Sequence, residues 1–270
     1  MTDFYDNIVS AGNLERLQDA GLPLTILDCR AALGDAAWGR QAYAEGHIEG
    51  ALYANLDEDL AAPPDHRGRH PLPDPAEFCA TLGRWGISAD HQVVVYDDAG
   101  GAYAARAWWM LRWVGHAKVA VLDGGLKHWR RPLVKTSEAP LSTQFHQGTP
   151  LTFTVDAEEA HAAASLLDAR TEERWAGRAE PIDPVAGHIP GAVCLPFQEN
   201  LDADGLFKSP AELAARFEGL DQPLVCYCGS GVTACHNILA LHLAGISDVR
   251  LYADSWSGWI TDPNRPVATE

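Results

Sequence analysis

The sequence is short of positive charge: 20 Lys and Arg stand against 37 Asp and Glu, for a formal net charge of −17. A surface that acidic repels nucleic acid and anionic membrane, so neither is expected as the main partner. No run of 18 apolar residues occurs, which excludes a membrane-spanning helix. The first residues carry Asp3 and Asp6 and lack a basic flank followed by an apolar stretch, so no signal peptide is read there and a cytoplasmic location is expected. Cysteine is also sparse. Cys29, Cys79, Cys194, Cys226, Cys228 and Cys235 are too few in 270 residues for a disulfide scaffold, and a reducing compartment fits better. Cys226 and Cys228 are separated by one residue and no second cysteine pair exists, a spacing that does not suit zinc. No zinc site is expected.

What remains has the composition of a globular protein, 47% hydrophobic and 21% charged. The length suggests two domains, each large enough to bury a core. The chain in fact repeats itself. Leu24–Arg30, an apolar run ending in Asp28-Cys29-Arg30, resembles Ser165–Arg170, which ends in Asp168-Ala169-Arg170. Gly46-His47-Ile48-Glu49-Gly50-Ala51 is matched by Gly187-His188-Ile189-Pro190-Gly191-Ala192. The apolar stretch Val93–Asp97 parallels Leu224–Cys228, and Val119–Leu122 parallels Val249–Tyr252. Four features in the same order mark a duplicated domain.

Within each copy, short β-branched runs alternate with helix-length amphipathic stretches. That alternation predicts an α/β fold with an open, mostly parallel sheet in each copy and helices on both faces. Pro132, Pro140, Pro150 and Gly148 interrupt the pattern between the copies. The first domain is therefore assigned to 1–137, a linker to 138–150 and the second domain to 151–270. Trp108, Trp109 and Trp113 have the spacing of a packed helix face. Asp28, Arg30, Asp168 and Arg170 are expected to form structural pairs at strand ends.

The copies differ at one informative place. The second reads Cys228-Gly229-Ser230-Gly231-Val232-Thr233 after its strand, where the first has Asp97-Asp98-Ala99-Gly100-Gly101. Ligands on open α/β sheets bind beyond the carboxyl ends of the strands. Glycines in a strand-to-helix turn let successive N–H groups curl into an anion-binding nest, and the following helix, read from Val232 to Ala244, adds partial positive charge. A thiol placed there and open to solvent is expected to have a lowered pKa and to act as a nucleophile. The other five cysteines are read as core. A cysteine phosphatase needs an Arg six residues after its Cys, and Ala234 stands there.

These residues resemble the two-domain rhodanese family of sulfurtransferases from about Leu24 to Pro266. Asp-x-Arg, Gly-His-Ile-x-Gly-Ala, the six-residue loop and Trp256-Ser257-Gly258-Trp259 carry the resemblance. The loop is similar to that of the 3-mercaptopyruvate type; thiosulfate-type loops carry Arg-Lys where this chain has Gly229-Ser230. The resemblance implies tandem rhodanese-like domains, the first non-catalytic with Asp97 at the cysteine position. It implies attack by Cys228 on a small anionic sulfur donor and a persulfide, passed to thioredoxin, a small thiol or cyanide, with no metal or organic cofactor needed. Thiosulfate as donor, or a persulfide relay to a dedicated partner, are the alternatives.

The family also implies site roles. Gly229, Gly231, Val232 and Thr233 would hold the donor and the persulfide through the loop's N–H groups. Arg174 matches a carboxylate-binding arginine. The second such arginine has no clean match, because Asp183 stands there, and Arg178 is the nearest candidate. Ser230 with His47 of the first copy resembles a proton-handling pair, with Asp35 orienting the histidine.

Overall fold

The computed structural model describes residues 4–136 and 139–270. The expected boundary between 137 and 138 falls on Ser137 and Glu138, outside the described residues. The chain forms two compact units. One runs up to Ala62 and resumes over Pro73–Leu151; the other comprises Pro63–Leu72 and Thr152–Glu270. The ten residues Pro63–Leu72 thus group with the second unit although they lie within the first copy of the repeat. The segment before residue 152 belongs to the first unit, where Thr143 N donates to Gly83 O, Gly148 N to Val114 O and Leu151 N to Arg112 O.

In the first unit the strands are β1 (Ile8–Val9), β2 (Leu24–Asp28), β3 (Ala51–Tyr53), β4 (Gln92–Tyr96) and β5 (Val119–Leu122). Between them run α1 (Ala11–Ala20), α2 (Trp38–Glu45), α3 (Pro75–Arg84) and α4 (Ala104–Trp113), and α5 (Gly125–His128) follows. The sheet is parallel, in the order β1-β5-β4-β2-β3. Every residue of β4 is buried, so both faces of the sheet are covered, as its unbroken apolar run requires. Local signals set the helix ends. Ser10 caps α1 through Asn13 N and Gly21 closes it at φ 61°; Asp74 caps α3 ahead of Pro75.

The second unit repeats the plan. Its strands are β6 (Phe153–Thr154), β7 (Ser165–Asp168), β8 (Val193–Cys194), β9 (Leu224–Tyr227) and β10 (Val249–Leu251). They pair in parallel in the order β6-β10-β9-β7-β8, the same order as in the first unit. Its helices are α6 (Ala157–His161), α7 (Glu172–Trp175), α8 (Pro210–Arg216), α9 (Ala234–Leu243) and α10 (Ser255–Trp259), with a 3-10 turn over Phe197–Asn200. Among the described residues no helix is long and apolar enough to cross a membrane.

Each core is stamped from the same die. Val94, Tyr96 and Ile48 are buried in one cluster, and Val225, Tyr227 and Ile189 in the other. The Asp-x-Arg motifs close the strand ends: Arg30 Nη2 lies 2.6 Å from Asp28 Oδ2 and Arg170 Nη2 lies 2.7 Å from Asp168 Oδ2, with both carboxylates fully buried. Ion pairs so buried persist because every charge is matched and hydrogen-bonded. Trp108 and Trp109 are fully buried on α4, as their spacing predicts.

Candidate active site

β9 ends at Tyr227 and α9 begins at Ala234, so residues 228–233 form the turn at the carboxyl edge of the second sheet. Gly231 sits at φ 77°, a conformation closed to most L-residues. Cys228 is only 2% exposed, which departs from the exposed position expected at a strand end. The turn is tied down on its far side: Trp256 N donates to Cys228 O at 3.0 Å and Ser257 N to Gly229 O at 2.8 Å.

Burial pushes the Cys228 thiol up, but hydrogen bonds from the Thr233 hydroxyl and the N–H groups of Ser230 and Ala234 outweigh it. The net shift is below the ordinary thiol value. The thiolate is therefore favoured by aimed donors rather than by solvent. Cys226, two residues earlier and without such donors, has its thiol pushed above the ordinary range by burial. Thr233 stands at the N-cap of α9 but makes no side-chain cap, so its hydroxyl serves the sulfur. Thr233→Val is expected to raise the midpoint of Cys228 alkylation against pH by about one unit, and to slow alkylation at neutral pH about tenfold. A profile that coincides with wild type would remove Thr233 from the thiolate's support.

The first unit contains the same nest filled by a side chain of its own. Asp97 Oδ1 accepts from Ala99 N (2.9 Å) and Gly101 N (2.8 Å); Oδ2 accepts from Tyr103 N (2.8 Å) and Ala104 N (2.9 Å). Both nests use the N–H two residues after the anion and the N–H of the first helical residue. A carboxylate thus occupies in one copy what a thiolate occupies in the other.

Ser255 supports the cysteine from behind. Its hydroxyl accepts from Cys228 N at 3.1 Å and donates to Tyr252 O at 2.9 Å. Among the described residues it alone, apart from glycine, has positive φ, at 55°. The matching residue of the first copy is Gly125 at φ 57°, where a Cβ would stand 2.3 Å from Asp97 O.

The remaining expected residues fall in different places. Arg174, on α7, reaches the loop: a Cβ on Gly229 would lie 3.5 Å from both of its terminal nitrogens. Val232 is buried in the turn. Arg178 does not reach the loop. It is half exposed and paired with Glu172 (2.7 Å) and Glu270 (3.2 Å), because α7 ends at Trp175 and carries the following residues outward.

His47 is not the partner of Ser230. It is fully buried in the first unit, stacked on Tyr43 at 3.9 Å, with Nδ1 2.8 Å from Tyr43 O and Nε2 3.3 Å from Thr136 O. His188 is held the same way in the second unit, stacked on Trp175 with Nδ1 2.7 Å from Trp175 O. The Gly-His-Ile motif therefore pins the chain in each copy. Asp35 does not orient His47 either; its carboxylate accepts from the N–H groups of Ala37 and Trp38 at the start of α2.

The place beside Ser230 is taken by His70, whose Nδ1 lies 2.7 Å from Ser230 Oγ. Its neighbour Arg69 also enters the site. Arg69 pairs with Asp183, and a Cβ on Gly229 would lie 2.8 Å from its Nη2. Both residues come from the Pro63–Leu72 segment, which lies outside the repeat pattern. Pro63, Pro64, Pro71 and Pro73 bracket it, and that break in composition is the one sequence signal that marks it.

Comparison with known proteins bears on what such a site is for. The model of the rhodanese-like domain matches residues 10–132 and again 154–262. The chain belongs to the rhodanese family. A Pseudomonas aeruginosa protein named "Probable 3-mercaptopyruvate sulfurtransferase" is 52% identical over 262 residues, covering 91% of this chain and 92% of the relative. The thiosulfate sulfurtransferase of Mus musculus is 38% identical over 251 residues, 83% of each chain. Among solved rhodanese folds, a 3-mercaptopyruvate sulfurtransferase from Escherichia coli superposes with a TM-score of 0.78 at 31% identity, covering 94% of this chain and all of that one.

Proposed function

We infer that this sulfurtransferase draws its sulfur from 3-mercaptopyruvate and carries it as a persulfide on Cys228. The observation that carries the reading is the buried Cys228 sulfur in a nest of hydrogen-bond donors that lower its pKa, beside a Gly229-Ser230 turn that two guanidiniums overhang. The Cys228 thiolate attacks the donor sulfur; the new S–S bond forms as the S–C bond breaks, and its electron pair leaves as the enolate of pyruvate. The proton of the donor thiol ends on the methyl group of pyruvate, with Ser230 and His70 placed to relay it. An acceptor thiol, or cyanide, then takes the outer sulfur and regenerates the thiolate. Because the intermediate is covalent, the kinetics are ping-pong.

Arg174 and Arg69 hold the donor's carboxylate, since a guanidinium fork matches a carboxylate better than an ammonium does. His70 replaces His47 in the proton-handling role, and Arg69 replaces Arg178. The first unit, with Asp97 in its nest, is non-catalytic. The sparse cysteine content suits a reducing, cytoplasmic setting, and a small thiol or a thioredoxin-like protein would be the acceptor.

The name of the mouse relative keeps thiosulfate as a second donor. Intact mass after mixing with each donor, without acceptor, separates the two. A gain of one sulfur atom with mercaptopyruvate, lost on adding a thiol, is the expected result. A gain with thiosulfate alone would replace the donor, and a gain with neither would favour a relay loaded by a dedicated partner.

A further inference from the structure

Behind the Cys228 turn, acids and bases alternate in one unbroken file. Asp168 pairs with Arg170 (2.7 Å), Arg170 with Glu180 (3.4 Å), Glu180 with Arg174 (2.7 Å), Arg174 with Asp183 (3.2 Å) and Asp183 with Arg69. The three carboxylate side chains are no more than 3% exposed, whereas Arg174 is 16% and Arg69 28% exposed. The file therefore presents its two accessible cations to the turn and keeps its anions behind them. Gly229 lies under both; a side chain there would displace Arg69.

The charges have a consequence for the donor. Three guanidiniums cancel three carboxylates, so the file brings no net positive charge to the turn. Arg69 and Arg174 offer one oriented fork, enough for a single carboxylate. Among the described residues, a second negative charge on the donor meets no further accessible guanidinium of the file, Asp183 already draws on both arginines, and the low dielectric of a buried site sharpens the repulsion.

We propose that Arg69 is the second donor-binding cation and that Asp183 is the residue that selects a monoanionic sulfur donor, such as 3-mercaptopyruvate, over a dianionic one, such as thiosulfate. The proposal deepens the donor reading above and rests on it for the identity of the preferred substrate. Asp183 acts through charge: it orients Arg69 and Arg174 while cancelling the excess that a dianion needs.

Two variants test this in the full chain, with cyanide as acceptor and both donors measured side by side. Asp183→Asn keeps the shape and one acceptor oxygen but removes the charge. It is expected to raise kcat/KM for thiosulfate relative to that for mercaptopyruvate at least tenfold, whatever the change in the mercaptopyruvate rate itself. A ratio of the two that stays constant or falls would overturn the selecting role of Asp183. Arg69→Ala is expected to raise KM for mercaptopyruvate about tenfold or more with a smaller change in kcat; an unchanged KM would remove Arg69 from the donor site, and it remains readable should the Asp183 variant fold poorly. A wild-type enzyme that already prefers thiosulfate would end the mercaptopyruvate reading, yet the shift in ratio on Asp183→Asn would still decide the role of Asp183.

Discussion

Cys228→Ser is expected to abolish sulfur transfer, lowering kcat by at least about 10⁴-fold with either donor, and to leave no sulfur adduct in the mass spectrum. The size of the effect follows from the loss of the atom that bonds the transferred sulfur; a serine hydroxyl in the same nest is not ionised near neutral pH and forms no persulfide. The fold should survive. Serine differs by one atom and can still accept from Ser230 N, Ala234 N and Thr233, so the melting temperature should move by only a few degrees despite the burial of the site. Residual transfer above one per cent would mean that another thiol carries the sulfur. Cys226 and Cys235 are the nearest in sequence, and both are fully buried.

Asp97→Ala in the first unit is expected to be the most destabilising single change outside the hydrophobic cores. The carboxylate accepts four N–H groups at 2.8–2.9 Å and is fully buried. Deleting it strands all four, at a cost of about 3–5 kcal/mol after partial rescue by water. In thermal melts that corresponds to a drop of roughly 10 °C. Asp98→Ala, one residue along and exposed, serves as the control and should stay within about 0.5 kcal/mol of wild type. Coincident melts for Asp97→Ala and wild type would show that the nest holds its shape unfilled.

Much of this architecture can be read from the chain, for reasons that are local. The strands are short apolar runs and the helices are amphipathic or capped, so the two α/β sheets follow from periodicity, and the duplication lets each copy check the other. The Cys228 turn is equally legible, because its nest is built from seven consecutive residues, Cys228 to Ala234. What escapes is what arrives from elsewhere. Arg69 and His70 lie in a Pro-bracketed stretch with no period, and only the tertiary fold brings them to Gly229 and Ser230. His47 misleads because its motif is prominent, although its recurrence as His188 already hints that the motif serves the fold. Arg178 is close in sequence to Arg174 yet lies past the end of a one-turn helix, where four residues suffice to turn a side chain toward solvent.

The grouping of Pro63–Leu72 with the second unit also bears on how such a chain can be inherited. A crossover between related genes near residue 150 would transmit Cys228, Arg174 and Asp183 together, but would take the histidine and the second cation from the other parent. Nucleophile and helpers would then have separate ancestries, so hybrids of that kind would differ in donor choice and proton handling while keeping an intact persulfide loop. On the proposed roles of Arg69 and His70, partition of the site along the chain would make the upstream copy the carrier of heritable variation in specificity.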